Sequence, residues 1–360
     1  MQGMHEPIRV GVVGFGLAGR IFHTAVIQAT PGLELAAVVQ RSGDDAKKEY
    51  PEAHLARSVD EMLCDVSIRL IVIATPSYSH YELAKRCLHE QRHVVIDKPF
   101  TLASSEAADL IRTARERKLL LTAYQNRRWD GGAKTVRQVI AGGELGRLVS
   151  FESHFDRFRP APRRDVWRES GGPGGGTLFD LGPHLIDEAL SLFGAPATIS
   201  ASVRVEREGA AVDDAFDIFL DYEQAHPLTV VLRATLTACA PGPKYVVHGT
   251  KGSYTKWGLD PQEDQLKSGM GFDAPGFGEE PESAWGEFRI CGDSGPVTRR
   301  VRTERGDYRG FYQNVRDALL GKAELEVRPE QAWRTTRLIE LARESSGHGR
   351  KLRVDFSAQP

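Results

Sequence analysis

Ile8-Arg9-Val10-Gly11-Val12-Val13, followed by Gly14-Phe15-Gly16-Leu17-Ala18-Gly19, is the stretch on which the fold turns. Its first six residues, mostly branched and apolar, read as a buried strand. The glycine-spaced hexapeptide then opens an amphipathic segment, Ala18–Ala29, that reads as a helix. In such a strand–turn–helix the first glycine permits a tight turn and the second lets a diphosphate approach the backbone. The third lets helix and strand pack closely. The free N–H groups and positive end of the helix then face the anion. Gly14, Phe15, Gly16, Leu17, Ala18 and Gly19 are therefore assigned to a dinucleotide site.

Beyond this turn, β-branched runs at Leu33–Val39, Leu70–Ala74, His93–Ile96 and Leu119–Thr122 alternate with helical patterns near Tyr81–Glu90 and Ser104–Arg117. Near-continuous apolar strands between helices imply a parallel sheet covered on both faces, the doubly wound Rossmann arrangement. After Tyr124 the rhythm changes. A helix near Ala133–Ala141 and a strand around Leu148–Phe155 precede a glycine-rich loop, Gly171–Gly176, and a helix at about Leu185–Phe193. Strand-like runs then follow at Ile199–Arg207, Asp213–Tyr222, Leu228–Leu236 and Tyr245–His248. Asp260–Glu287 reads as a long exposed excursion, and the tail returns to helix. The fold class is α/β: an N-terminal Rossmann domain over 1–124, and an α+β substrate domain over 125–360 with a large, mostly antiparallel, open-faced sheet. The C-terminal helices are expected to pack back toward the first domain.

The chain has 360 residues and a formal net charge of −2, so bulk electrostatics offer no case for nucleic acid or an anionic membrane. Arg157, Arg159, Arg163, Arg164 and Arg168 nevertheless cluster locally, as a solvated basic loop or as contacts for a small anionic ligand. Four scattered cysteines form no CxxC pair. No signal-length or membrane-length apolar run is present, so a cytoplasmic protein is expected. His89-Glu90-Gln91-Arg92-His93 matches the zinc-protease pattern HExxH, but His93 begins a predicted strand and the two rings should diverge. No metal is expected.

The end of the second predicted strand, about 20 residues past the glycine motif, is where a dinucleotide's ribose is read. Gln40-Arg41-Ser42 stands there, with no acid at the tip. Arg41 and Ser42 suit a 2′-phosphate, which favours NADP over NAD, while Asp44 and Asp45 a little further on pull the other way.

Three more segments make a resemblance specific: Ile71-Val72-Ile73-Ala74-Thr75-Pro76 with His80; Asp97-Lys98-Pro99; and Gly174-Gly175-Gly176 with Asp180, His184 and Asp187. With the glycine motif they resemble the Gfo/Idh/MocA oxidoreductases, in particular the scyllo-inositol dehydrogenase-like branch, over nearly the whole chain. One departure is Asp97, where the family usually has Glu before Lys-Pro. The resemblance implies that Lys98, Asp180 and His184 act together in catalysis beside a bound dinucleotide. It also implies that Thr75, Pro76, His80, Lys98, Asn126, Trp167 and Arg168 lie around the cofactor, and that Lys98-Pro99 carries a cis peptide. Tyr124 and Arg127 are further cleft candidates. The residues agree with such chemistry: a histidine titrates near working pH, a carboxylate orients it, and a lysine stabilises alkoxide character. Pro183 suggests that the helix carrying His184 begins there, with Asp180 just ahead of it. The substrate implied is a polyol or sugar, such as an inositol or its keto form, handled by a homo-oligomer (dimer or tetramer). An NAD-dependent glycoside hydrolase of the same architecture and a non-catalytic NAD(P)-binding regulator are the alternatives.

Overall fold

A computed structural model describes residues 6–163, 165–223, 225–292 and 295–360; Arg164 of the arginine cluster lies outside them. The chain divides into two compact units. One comprises the residues up to Asn126 with Tyr308–Thr336 and Gln359–Pro360; the other comprises Arg127–Asp307 and Arg337–Ala358. Among the described residues, no helix is long and apolar enough to cross a membrane.

The first unit begins with β1 (Ile8–Val13), a π-helical segment Ala18–Thr24 that runs into α1 (Ala25–Gln28), and β2 (Leu33–Val39). It continues with α2 (Asp45–Glu49), β3 (His54–Ala56), α3 (Val59–Leu63), β4 (Leu70–Ile73) and α4 (His80–His89). Next come β5 (His93–Ile96), α5 (Ser104–Glu116) and β6 (Leu121–Ala123). The strands pair in parallel in the order β3-β2-β1-β4-β5-β6. This is a Rossmann sheet, and its order reverses between β1 and β4, the place where such sheets bind ligands. Every side chain of β4 is buried, as a strand covered on both faces requires. The wide first turn after β1 differs from the regular helix expected from the sequence.

The second unit holds α6 (Gly131–Ala141), β7 (Leu148–His154), α7 (Thr177–Phe193), β8 (Thr198–Arg204), β9 (Ala215–Tyr222) and β10 (Leu228–Thr235). It continues through β11 (Tyr245–Gly249), β12 (Gly252–Lys256), α8 (Gln262–Lys267), β13 (Gly286–Gly292) and β14 (Gly295–Val301). The chain then returns to the first unit with α9 (Arg309–Leu319), which packs on α1. It leaves again along α10 (Pro329–His348) and adds the edge strand β15 (Leu352–Arg353) beside β8. The second sheet has nine strands, ordered β14-β13-β12-β11-β7-β10-β9-β8-β15, and only β7 and β10 run parallel. Phe216, Ile218, Leu220 and Tyr222 of β9 are buried on the face that packs α7, while Phe219 on the opposite face is exposed. Asp260–Glu287 corrects the sequence reading: it contains α8 and buries Gln262, Leu266, Phe272 and Phe277 rather than running exposed throughout.

His93 at the head of β5 accepts the Leu120 N–H through Nδ1 at 2.9 Å, which requires that nitrogen to be unprotonated. Burial, with Arg69 adding to it, pushes the imidazole from its ordinary 6.5 down to about 4. A depressed histidine contributes stability above its unfolded value that is lost as pH falls from there toward the folded value, roughly 2–3 kcal/mol across the window. His93→Asn keeps an acceptor without a titrating ring. It is expected to flatten the fall in unfolding free energy between pH 6.5 and 4 in urea melts; an unchanged slope would show that another group titrates.

Candidate active site

The glycine turn of the first unit has the geometry its sequence requires. Gly14 sits at φ +102°, and a Cβ there would lie 2.8 Å from the Ala74 carbonyl. A Cβ on Gly19 would lie 2.0 Å from the Gly14 carbonyl, so only glycine lets the helix seat against the turn. At Gly16 a Cβ would meet nothing within 4 Å: the backbone borders open space of the kind a diphosphate needs. Leu17 is exposed and Phe15 makes an edge contact with Tyr50 at 6.1 Å. The residues therefore fit a dinucleotide.

At the end of β2, Arg41 and Ser42 are exposed. Both nearby acids are engaged elsewhere: Asp44 pairs with Lys48 at 2.8 Å, and Asp45 accepts from Gln40 Nε2 at 3.1 Å. Arg57, whose part sequence reasoning missed, donates to the Gln40 and Gly43 carbonyls and so pins this loop with a second guanidinium. Its signal was faint, because β3 is only three residues long.

Lys98 follows β5, half-buried, and the Lys98-Pro99 peptide is cis. Asp97 is buried and accepts the Lys98 N–H at 2.8 Å. Burial alone would raise its pKa, but the His23 ring, the Lys98 ammonium and the His80 ring outweigh this and hold the carboxyl below its usual range. His80 opens α4 fully buried, with Nδ1 2.8 Å from the Pro99 carbonyl and Nε2 2.9 Å from that of Thr75. It ties the turn after β4 to the turn after β5, acting on position rather than at a ligand surface. Thr75 and Pro76 are half-buried, with Thr75 Oγ1 2.7 Å from Ser79 Oγ. Tyr124 is core rather than cleft: its hydroxyl donates to the Phe22 carbonyl at 2.7 Å, and its ring packs on His23. Asn126, the last residue of this segment, is buried.

In the second unit the structure corrects the expected start of the histidine helix. α7 begins at Thr177, so Pro183 lies inside it and Asp180 stands in its first turn rather than ahead of it. An internal proline removes a backbone donor and crowds the preceding turn, at a cost of about 3 kcal/mol. Asp213 starts the helix from outside: its carboxylate accepts the Leu178 N–H at 2.7 Å and its carbonyl the Thr177 N–H at 2.8 Å. Gly176, at φ +96°, leaves room for it, since a Cβ would fall 2.2 Å from Asp213 Oδ1. Burial raises the Asp213 pKa, although the Leu178 N–H works in the other direction.

One helical turn separates Asp180 from His184 and another separates His184 from Glu188, so the three share a face. Asp180 pairs with Arg168 Nε at 3.3 Å, and that guanidinium stacks 4.6 Å from the Trp167 ring. His184 is 9% exposed and stacks on Phe155 with ring centroids 6.5 Å apart. Asp187 is held in a buried two-pronged pair by Arg128, both contacts at 2.7 Å. Arg127 is met by Glu263 at 2.5 Å and Asp130 at 3.3 Å. The loop carrying Trp167 and Arg168 is not slack. Buried Arg207 joins Glu169 (3.0 Å) to Asp214 (2.9 Å) and donates to the Arg159 carbonyl, and the Gly176 N–H returns to the Arg168 carbonyl. At the HExxH stretch, α4 ends at His89 and β5 begins at His93, with Gln91 at φ 60° between them.

Known proteins carry the same pattern. A family model described as the NAD-binding Rossmann fold of an oxidoreductase family matches residues 8–125, and its companion, the C-terminal alpha/beta domain, matches residues 137–355. The chain is 40% identical over 352 residues to YdgJ of Escherichia coli, named an uncharacterized oxidoreductase; the match covers 96% of this chain and 98% of the relative. It is 32% identical over 350 residues, 97% of each chain, to IolW of Bacillus subtilis, named scyllo-inositol 2-dehydrogenase (NADP(+)). A solved structure from Yersinia pestis, 39% identical, matches with a TM-score of 0.92 over 99% of both chains. An oxidoreductase from Bacillus cereus, 30% identical, matches with a TM-score of 0.84 over 97% of this chain and 99% of its own. The chain belongs to the Gfo/Idh/MocA oxidoreductase family, and its Rossmann domain is of the NAD-binding kind.

Asp213→Ala is expected to lower stability by about 1 kcal/mol, the worth of a helix cap, and to loosen the first turn of α7. Hydrogen exchange at Leu178 reads this directly; unaltered protection there would mean that the cap does not set the helix start.

Proposed function

We propose that this family member transfers hydride between NADP and a secondary alcohol of a polyol or sugar, with inositols and their keto forms as the first candidates. The observation that carries the reading is the α7 face, where His184 lies one turn from an arginine-paired carboxylate. The name of IolW, similar over almost the full chain, supports the substrate class and the phosphorylated cofactor. NADP is further supported by Arg41 and Ser42 standing exposed while Asp44 and Asp45 are occupied by Lys48 and Gln40.

A bound nicotinamide supplies the hydride acceptor for alcohol oxidation, or the donor for ketone reduction. Gly14, Gly16 and Gly19 would hold the diphosphate, and Arg41, Ser42 and Arg57 form the basic end of the ribose loop. In the oxidative direction the His184 imidazole takes the hydroxyl proton as hydride leaves the carbon. Asp180 favours the charged ring that results. Lys98 is the group we propose for stabilising alkoxide character on the substrate oxygen. Ketone reduction reverses these transfers, with His184 returning the proton.

The direct test is a panel of inositols and aldoses assayed with NADP and NAD separately, following reduced nicotinamide by absorbance. His184→Ala and Lys98→Ala are each expected to cut kcat by about 10²- to 10⁴-fold, with His184→Ala leaving NADP affinity nearly unchanged. Full turnover in both would refute the assignment. Arg41→Ala is expected to weaken NADP about tenfold while sparing NAD; equal loss for both would contradict the 2′-phosphate reading.

A further inference from the structure

The α7 face and the strand beneath it are in register. Two residues along a strand advance about 6.6 Å and four along a helix about 6 Å, so alternate strand positions meet successive helical turns. Ser153 Oγ donates to Glu188 Oε2 at 2.5 Å, and Phe155 stacks on His184. The chain continues this ladder past the end of β7, the Phe155 and Arg157 N–H groups donating to the Arg233 and Thr235 carbonyls. Arg157 is thus the third rung, facing the Asp180 turn.

The Ser153 rung is satisfied within the protein; the third carries excess positive charge. Lys244, beside the Ser153 rung, donates to Ser153 Oγ at 2.8 Å and lies 3.7 Å from Glu188. Arg157, half-buried with its guanidinium 4.8 Å from the Phe155 ring centroid, makes no side-chain hydrogen bond or ion pair with any described residue. Asp180 and Glu263 attract it, but the first is already paired with Arg168 and the second with Arg127 and Lys267, while Arg159 and Arg127 repel it. Burial pulls the guanidinium's pKa down, as expected for a cation whose water has been removed without a full replacement. Each carboxylate near Arg157 is thus already engaged by another cation, which leaves a positive charge beside His184 for something else to meet.

We propose that the substrate bears an anionic group, a carboxylate or a phosphate on its polyol frame, and that Arg157 binds it next to His184. This rests on the hydride-transfer reading for its meaning but is measured separately from it. A guanidinium meets either anion in two-pronged fashion, and because it is partly desolvated the contact discriminates against neutral analogues.

The test is calorimetric titration of the NADP-loaded protein with two matched sets at fixed ionic strength. The sets are glucose, glucuronate and glucose 6-phosphate, and myo-inositol with its monophosphate. At least one anionic member is expected to bind tenfold or more tighter than its neutral partner, and the arm that does so identifies carboxylate or phosphate. In Arg157→Ala that ratio should fall about tenfold or more, to near one, with partial recovery in Arg157→Lys. The ratio is internal to each protein, so general loosening of the fold would not move it selectively, and the wild-type ratio stands without any variant. Neutral members binding as well as both anions, an unchanged ratio in Arg157→Ala, or a loss confined to NADP affinity would each overturn the proposal. If the ratio behaves as expected while no member is oxidised or reduced, the hydride-transfer reading fails and the anion site stands.

Discussion

The Asp213 carboxylate, accepting the Leu178 N–H, sets the start of α7, and most of the second unit's chemistry follows from that start. With the helix beginning at Thr177, Asp180, His184 and Glu188 fall on one face at successive turns, and Asp187 turns aside to meet Arg128. A shift of even one residue would rotate the helix by about 100° and present a different set to the sheet. The internal proline is carried by packing: the apolar side of the helix is buried against β9 and β10. Gly176 is the condition for all of this, because no side chain fits between it and Asp213.

The first unit rests on a comparable steric rule. Gly19 seats the helix directly on the carbonyl of Gly14, while Gly16 keeps the border of the turn open. The buried pair His80 and Asp97 then fixes the turns that follow β4 and β5, so Lys98 is offered from a backbone whose hydrogen bonds are satisfied inward. The shorter acid at position 97, where the family usually has glutamate, suits this role: it folds back onto the N–H of the next residue. Fold alone does not choose a substrate. What we propose narrows the choice in this chain is Arg157, which follows β7 and faces the Asp180 turn of α7 while Asp180 is held by Arg168.

The parts legible in the sequence are those in which a residue type answers a local demand. The glycine motif was readable because each glycine meets its own steric constraint. Five of the six strands of the parallel sheet were readable because burial on both faces leaves near-continuous apolar runs, and β5 has the expected bounds, His93–Ile96; the three-residue edge strand β3 was too short to show. The start of α7 was not legible, because Pro183 imitates a first-turn proline and the true cap comes from a distant part of the chain. The pair β13 and β14 was missed because outer strands with exposed Thr298, Arg299 and Arg300 carry little apolar periodicity. Tyr124 looked like a cleft aromatic and is core, since its partner Phe311 belongs to a helix nearly two hundred residues later. The arginine cluster was visible as composition, but which members are spoken for depends on where Glu169 and Asp180 fall in the fold, the first meeting Arg163 and the second Arg168.

The central claim is that the α7 imidazole moves the proton that accompanies hydride transfer. The pH dependence of kcat/KM for alcohol oxidation, compared between the natural enzyme and His184→Asn, tests it most directly. The account requires a wild-type rate that falls on the acid side as the base becomes protonated, and a slow variant whose profile has lost that limb. An acid limb that persists unchanged at near-normal rate in the variant would contradict it.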